Sequence, residues 1–240
     1  LRRYFESLRP PGLRRVPGQL DGEDLDMDAV IARLADLQAG IEPSERIYVR
    51  REKREREVAA AFLVDLSGST SRQVEQGRRI IDIEKQGLVL LCEALTAIGD
   101  QFAVYGYSGQ GRHQVDFVVV KDFDDLVTGR AGAKLGGMVP LQQNRDGAAI
   151  RHATTKLLAR QAKTRLLVMI SDGRPLDDGY KDDYSLEDTR MALREARASG
   201  IEPVCITIDK QADPYVRRMY GDVRYVVIDR VEGLPEKLPR

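Results

Sequence analysis

The sequence predicts an α/β fold: a doubly wound, mainly parallel sheet with one antiparallel edge strand and helices on both faces. Three observations predict it. From residue 58 onward, short apolar runs alternate with longer amphipathic stretches. Most of the runs are apolar throughout, as strands buried on both faces are. Two of them flank the Gly-rich turn SGQGR, residues 108–112, which makes them a hairpin and so an antiparallel pair.

Two regions are expected, an extension over 1–57 and one domain over 58–240. Residues 1 to about 22 carry RPPG, a second Pro-Gly and many arginines, and read as a linker or extended arm. From Asp24 the pattern turns helical, with Met27, Val30, Ile31, Leu34 and Leu37 on one stripe and Gly40 as a stop. Residues 46–50 read as a short strand, and the mixed-sign run Arg50 to Arg56 as a solvated turn or strand edge.

In the second region the first strand is 58–65. A helix over about 75–98 follows, with Ile80, Ile81, Leu88, Leu91, Leu95 and Ile98 on its apolar stripe. FAVYGYS (102–108) and VDFVVVK (115–121) form the hairpin. Residues 147–162 are helical, 165–171 a buried strand and 186–199 a helix stopped by Gly200. A strand over 202–209, a short helix over 213–220 and a last strand over 225–229 complete the alternation.

Composition narrows the function. Hydrophobic residues make up 42 % of the 240, enough for a core, and 38 basic residues balance 38 acidic ones. No global field therefore draws the chain to nucleic acid or an anionic membrane, and no apolar run approaches the roughly 20 residues of a membrane helix. Cys92 and Cys205 lie far apart in apolar segments and read as reduced core thiols, which fits a cytoplasmic protein. Leu1 reads as a cut point, and the chain as a C-terminal piece of something longer.

The stretch AFLVDLSGSTS, residues 61–71, ends an apolar strand on Asp65 and follows it with Ser67, Ser69 and Thr70. Two further polar clusters fall near strand ends: NRDG (144–147), before a helix, and SDG (171–173), after the strand at 165–171. In an open α/β sheet ligands bind outside the carboxyl ends of the strands. If strands 58–65 and 165–171 are neighbours, Asp65, Ser67 and Ser69 come near Asp172. Serine hydroxyls, carboxylates and waters suit Mg²⁺, which takes about six oxygens at roughly 2.1 Å. No His or Cys lies in these loops, which argues against zinc. Gly68 is expected to keep the ion uncrowded.

Each feature has a plainer reading. The first loop is otherwise a polar turn, Asp146 a helix N-cap, and Asp172-Gly173 an ordinary turn. PLDDGYKDDY (175–184) reads as a solvated acidic loop that rims the binding face. His113 and His152 read as surface or satisfied groups, Tyr105 and Tyr107 as core. The glycines near 109–111 do not open a helix, so they form no dinucleotide loop, and no G-x-x-x-x-G-K-[ST] sequence occurs. Ser67 and Ser69 sit in no G-x-S-x-G elbow, which disfavours a serine hydrolase. A phosphohydrolase using the strand-end Asp65 remains an alternative, although Ser67 stands where a second carboxylic acid is needed.

Asp65-Leu-Ser67-Gly-Ser69 with the downstream Asp172-Gly173 is similar to the metal-ion-dependent adhesion site of von Willebrand factor type A (VWA) domains, over roughly residues 58–230. The resemblance implies a Rossmann-like VWA fold and a non-enzymatic, Mg²⁺- or Mn²⁺-dependent site. In it Ser67 and Ser69 bind the ion directly, Asp65 and Asp172 act mostly through water, and an open position takes a Glu or Asp of a client protein. Asp146 stands where the family usually has threonine. A carboxylate there tightens the metal but weakens its pull on an anion, which Arg145 offsets by pairing with the anion or with Asp146. YGYSGQGR, RDGAAIRHAT, LVMISDGRP and LEDTRMALREA resemble the C-terminal VWA domain of bacterial CbbO/NorD-type adaptors. That branch implies a MoxR-type AAA+ ATPase partner and a role in Rubisco activation or nitric oxide reductase assembly.

Overall fold

The structure is a computed structural model that describes residues 13–53, 57–73, 77–126, 129–207, 213–221 and 223–227. Expectations for residues 1–12, 54–56, 75–76, 208–209 and 228–229 lie outside the described residues. The chain divides into two compact units, one of residues 7–56 and one of 57–240 with 1–6.

In the smaller unit, β1 (Leu13–Gln19) and β2 (Asp24–Leu25) both pair antiparallel with β3 (Tyr48–Lys53), in the order β1-β3-β2. The arginine-rich segment expected to be a linker thus contains a strand. Its ladder partner is part of the mixed-charge run, and Arg51 reaches Asp24 at 2.7 Å. Helix α1 (Met27–Gln38) starts at Asp26, whose side chain accepts the Ala29 N–H at 3.4 Å as an N-cap.

The larger unit carries β4 (Val58–Asp65), α2 (Ile80–Ile98), β5 (Gln101–Gly109), β6 (Val115–Lys121), α3 (Gly129–Gly136), α4 (Asp146–Leu158), β7 (Thr164–Ser171), α5 (Asp182–Ala198), β8 (Ile201–Thr207), α6 (Asp213–Tyr220) and β9 (Arg224–Val227). Six strands form one sheet in the order β6-β5-β4-β7-β8-β9. All neighbours run parallel except the β5–β6 hairpin, which makes β6 the antiparallel edge. Strand β4 shows why its sequence is apolar without alternation. Ala59, Ala61 and Leu63 face the layer that holds Ile150, Leu157, Leu186 and Leu193 of α4 and α5. Ala60, Phe62 and Val64 face Ile80, Ile81, Leu88 and Leu91 of α2. The sheet is covered on both sides, as expected for parallel strands.

Helix α3 was not foreseen. Its sequence, GRAGAKLG, holds three glycines, which hide helical propensity. Cys205 is buried and Cys92 half-buried, both as free thiols. Among the described residues no helix is long and apolar enough to cross a membrane.

Leu66, just past β4, couples the fold to the loops above it. Its N–H donates to the Tyr107 carbonyl at 2.9 Å, and its carbonyl accepts the Leu141 N–H at 2.6 Å. Its side chain lies directly against Gly106 of β5: a Cβ there would stand 2.4 Å from Leu66 Cδ1. Gly106→Ala should therefore cost about 1–3 kcal/mol in denaturant unfolding. Leu66→Ala in the same chain should recover part of that loss, a coupling that a double-mutant cycle measures directly.

Candidate metal centre

Strands β4 and β7 are parallel neighbours, with Val64 opposite Ile170, so their carboxyl ends emerge side by side. Asp65 closes β4, Ser67 follows, and a 3₁₀ turn over Gly68–Ser71 carries Ser69. Ser171 closes β7 and Asp172 follows. The loop before α4 is laced to the first loop: the Gly68 N–H donates to the Gln142 carbonyl at 2.6 Å. Ser108 at the end of β5 accepts the Gln142 N–H and donates to the Gln143 carbonyl. The lacing leaves little room at Gly68. A Cβ there would stand 3.3 Å from the Gln142 carbonyl oxygen, so loop contact limits side-chain size at this position.

The three loops meet through hydrogen bonds. One oxygen of Asp65 accepts the Ser67 N–H at 2.7 Å. The other accepts Asn144 Nδ2 at 2.7 Å and the Ser171 hydroxyl at 3.2 Å. Ser67 Oγ lies 2.8 Å from Ser69 Oγ, and the Ser69 hydroxyl donates to Asp172 Oδ1 at 2.9 Å. Ser67, Ser69 and Asp172 thus form one chain of hard oxygens. Ser69 is exposed, Ser67 and Asp172 lie just beneath, and Asp65 and Asp146 are fully buried. A cavity of about 400 Å³ opens over Ser69 and Asp172. A larger, mostly apolar cavity of about 530 Å³, between α2, α3 and the β5–β6 edge, touches none of these residues.

Asp146 is not the N-cap of α4. Arg145 occupies that position, Asp146 is the first helical residue, and its Oδ1 accepts the Tyr107 hydroxyl at 2.9 Å. Its Oδ2 is buried and has no hydrogen-bond partner among the described residues. Tyr107 is thus more than core filling. Among the described residues Arg145 pairs neither with Asp146 nor with anything at the cavity. It is buried, its Nε bonds Asp177 at 2.5 Å, Nη2 donates to the Asp178 carbonyl, and its guanidinium lies 4.7 Å from the Tyr180 ring centroid. The segment 175–184 is correspondingly only partly solvated: Asp177 is buried and also accepts the Gly111 N–H at 2.7 Å. His113 and His152 are exposed.

Glu84 was missed. It sits on the apolar stripe of α2, four residues from both Ile80 and Leu88, and that placement is the sequence signal that marks it. It is 2 % exposed, and among the described residues neither carboxylate oxygen has a hydrogen-bond partner. Burial pushes its carboxyl well above the usual range, and the charges of Asp65 and Asp172 add to the effect. Burial, then Asp65, do the same to Asp146. Asp65 is raised to about 7 by burial and by Asp172. In all three the first cause is burial, and the neighbouring carboxylates add to it. Among the described residues no three His, Cys, Asp or Glu side chains form a metal cage by themselves. A cation here would rest on serine hydroxyls, carboxylates and water, the donor set of a hard divalent ion. The orphaned Asp146 Oδ2 and Glu84 carboxylate fit that demand for positive charge.

The raised carboxyls fix the sign of the pH dependence. A carboxyl with a higher pKa in the folded chain than in the unfolded one stabilises fully below the unfolded value, here 3.8 for Asp65, and loses that contribution as pH rises through about 7. In chelator, the melting temperature should fall between pH 5 and 8, and Asp65→Asn should flatten that slope.

Comparison with known proteins agrees with this architecture. The profile of the von Willebrand factor type A domain family matches residues 61–230. An uncharacterized protein of Pseudomonas aeruginosa is 39% identical over 239 residues, 99% of this chain and 39% of that protein. Protein NorD of Brucella melitensis is 36% identical over 240 residues, 100% of this chain and 38% of its own length. The chain spans about two fifths of the length of these curated relatives. Among solved structures, the PilB minor pilin of Streptococcus sanguinis superposes with a TM-score of 0.57 at 17% identity, over 78% of this chain and 61% of the pilin, a likeness of fold. With its profile match spanning the sheet and all three site loops, the chain belongs to the von Willebrand factor type A domain family.

Proposed function

We propose that the chain is a non-enzymatic, metal-dependent protein-binding domain. In this reading Ser67, Ser69, Asp65, Asp146 and Asp172 hold Mg²⁺ or Mn²⁺, Asp65 and Asp172 chiefly through water. The observation that carries it is the Ser67–Ser69–Asp172 oxygen chain, set beside buried carboxylates that lack a counter-charge. When bound, the ion supplies Lewis-acid attraction for a carboxylate. The protein's own part is to fix the hydroxyls, exclude water beneath them and open the cavity above. The client is a protein that presents Asp or Glu.

The similarity to NorD supports a place for the domain in a cytoplasmic adaptor that serves a MoxR-type AAA+ ATPase, in activation or assembly of an enzyme complex of the nitric oxide reductase or Rubisco type. The region 1–57 is the proposed contact for that ATPase. Against a phosphohydrolase speaks Asp65 itself: it is fully buried, with both oxygens engaged by three donors, and so is poorly placed to attack phosphorus.

Ser67→Ala with Ser69→Ala should cost no more than about 2 kcal/mol of stability yet abolish Mg²⁺-dependent client capture. A pull-down with and without chelator, bound proteins identified by mass, is the measurement. Capture that survives the double substitution removes the metal from the mechanism. The wild-type chain should also show no turnover of a generic phosphoester or of ATP in a phosphate-release assay.

A further inference from the structure

An acidic partner poses an electrostatic problem at this site. Asp65, Asp146, Asp172 and Glu84 bring four carboxyl groups to a region that a single divalent ion would fill with two positive charges. Asp146 in particular adds charge where a hydroxyl would add none. Such a surrounding weakens the ion's attraction for a further carboxylate. The residue expected to offset it, Arg145, is committed elsewhere: it is buried against Asp177, the Asp178 carbonyl and the Tyr180 ring.

Two other guanidinium groups stand at the mouth. Arg72 follows the 3₁₀ turn that carries Ser69, and Arg174 follows Asp172-Gly173. Both line the cavity over Ser69 and Asp172. Both are exposed, and among the described residues neither makes an ion pair. Arg174 is oriented by Tyr215 of α6, its guanidinium carbon 5.3 Å from the ring centroid. A stacked guanidinium keeps its N–H edge available for bidentate contact with a carboxylate.

We propose that Arg72 and Arg174 form a two-sided grip around the ion's open position, and that the partner is a protein segment carrying several adjacent carboxylates. One side chain of that segment meets the ion, and its acidic neighbours meet the arginines. A lone carboxylate at the ion would leave both exposed guanidinium groups without a direct carboxylate contact, so a single Glu or Asp underuses the mouth. The inference rests on the cation-dependent reading above and adds to it the chemical character of the partner.

The test uses the full chain, Mn²⁺, and two fluorescein-labelled peptides, one with three adjacent glutamates and one with a single glutamate. Mn²⁺ uptake is followed by electron paramagnetic resonance, and peptide binding by fluorescence anisotropy at low and high salt. Arg72→Ala with Arg174→Ala should leave Mn²⁺ uptake unchanged, because neither side chain is a ligand. Binding of the triglutamate peptide should weaken about tenfold or more, the worth of one to two charged hydrogen bonds. The variant should also lose most of the salt sensitivity, and its preference for the triglutamate over the single-glutamate peptide. Equal triglutamate affinity in both proteins with Mn²⁺ bound overturns the grip, as does an absence of triglutamate binding to the Mn²⁺-loaded wild type. No Mn²⁺ uptake by the wild type overturns the cation reading itself, so the two failures are separately visible.

Discussion

The interaction on which the molecule depends is the unbalanced gathering of acids at one end of the sheet. Asp65, Asp146 and Glu84 are buried, and the hydrogen bonds that reach the two aspartates among the described residues come from neutral donors: a backbone N–H, an amide, and the hydroxyls of Ser171 and Tyr107. Burying a carboxylate without a counter-charge is costly, and the cost is met by a proton or by a cation. The fold holds that arrangement by packing α2, α4 and α5 on both faces of the strands that lead into it. Stability is given up at the carboxyl edge and recovered in two apolar layers.

The position of the site follows from chain topology more than from any single side chain. The crossover that makes β4 and β7 neighbours brings residues about a hundred positions apart within hydrogen-bond range, as Ser69 and Asp172 show. The loop before α4 is then fastened to both, through Gln142 to Gly68 and through Asn144 to Asp65. Loop sequence decides the chemistry, and the sheet decides that the loops meet.

Much of this was legible in the sequence. Strands with continuous apolar character, such as 58–65, declared burial on both faces, and the Gly-rich turn declared the antiparallel edge. What escaped had physical causes. Helix α3 is rich in glycine, and β1 is rich in arginine. Its strand character depends on a ladder with β3 that no local pattern displays. At the site, hydroxyl and carboxylate spacing pointed to Asp65, Ser67, Ser69 and Asp172, which hydrogen bonds do bring together. The true partners of Arg145, and the use of Asn144 as a tie between loops, are tertiary facts. Arg145 was expected to pair with a bound anion or with Asp146, whereas the backbone sends Arg145 to Asp177 and Asp146 to Tyr107. Glu84 was visible as a lone acid on an apolar stripe, a pattern that signals an uncompensated interior charge whenever no basic residue shares the stripe.

One consequence follows from the three donors on Asp65. They come from its own loop, from the loop before α4 and from the end of β7, so the carboxylate acts as a knot that ties those segments together. Ordering loops at the moment of association costs conformational entropy. Here part of that cost is met during folding, because the segments that carry Ser67, Asn144 and Ser171 are already joined through one side chain.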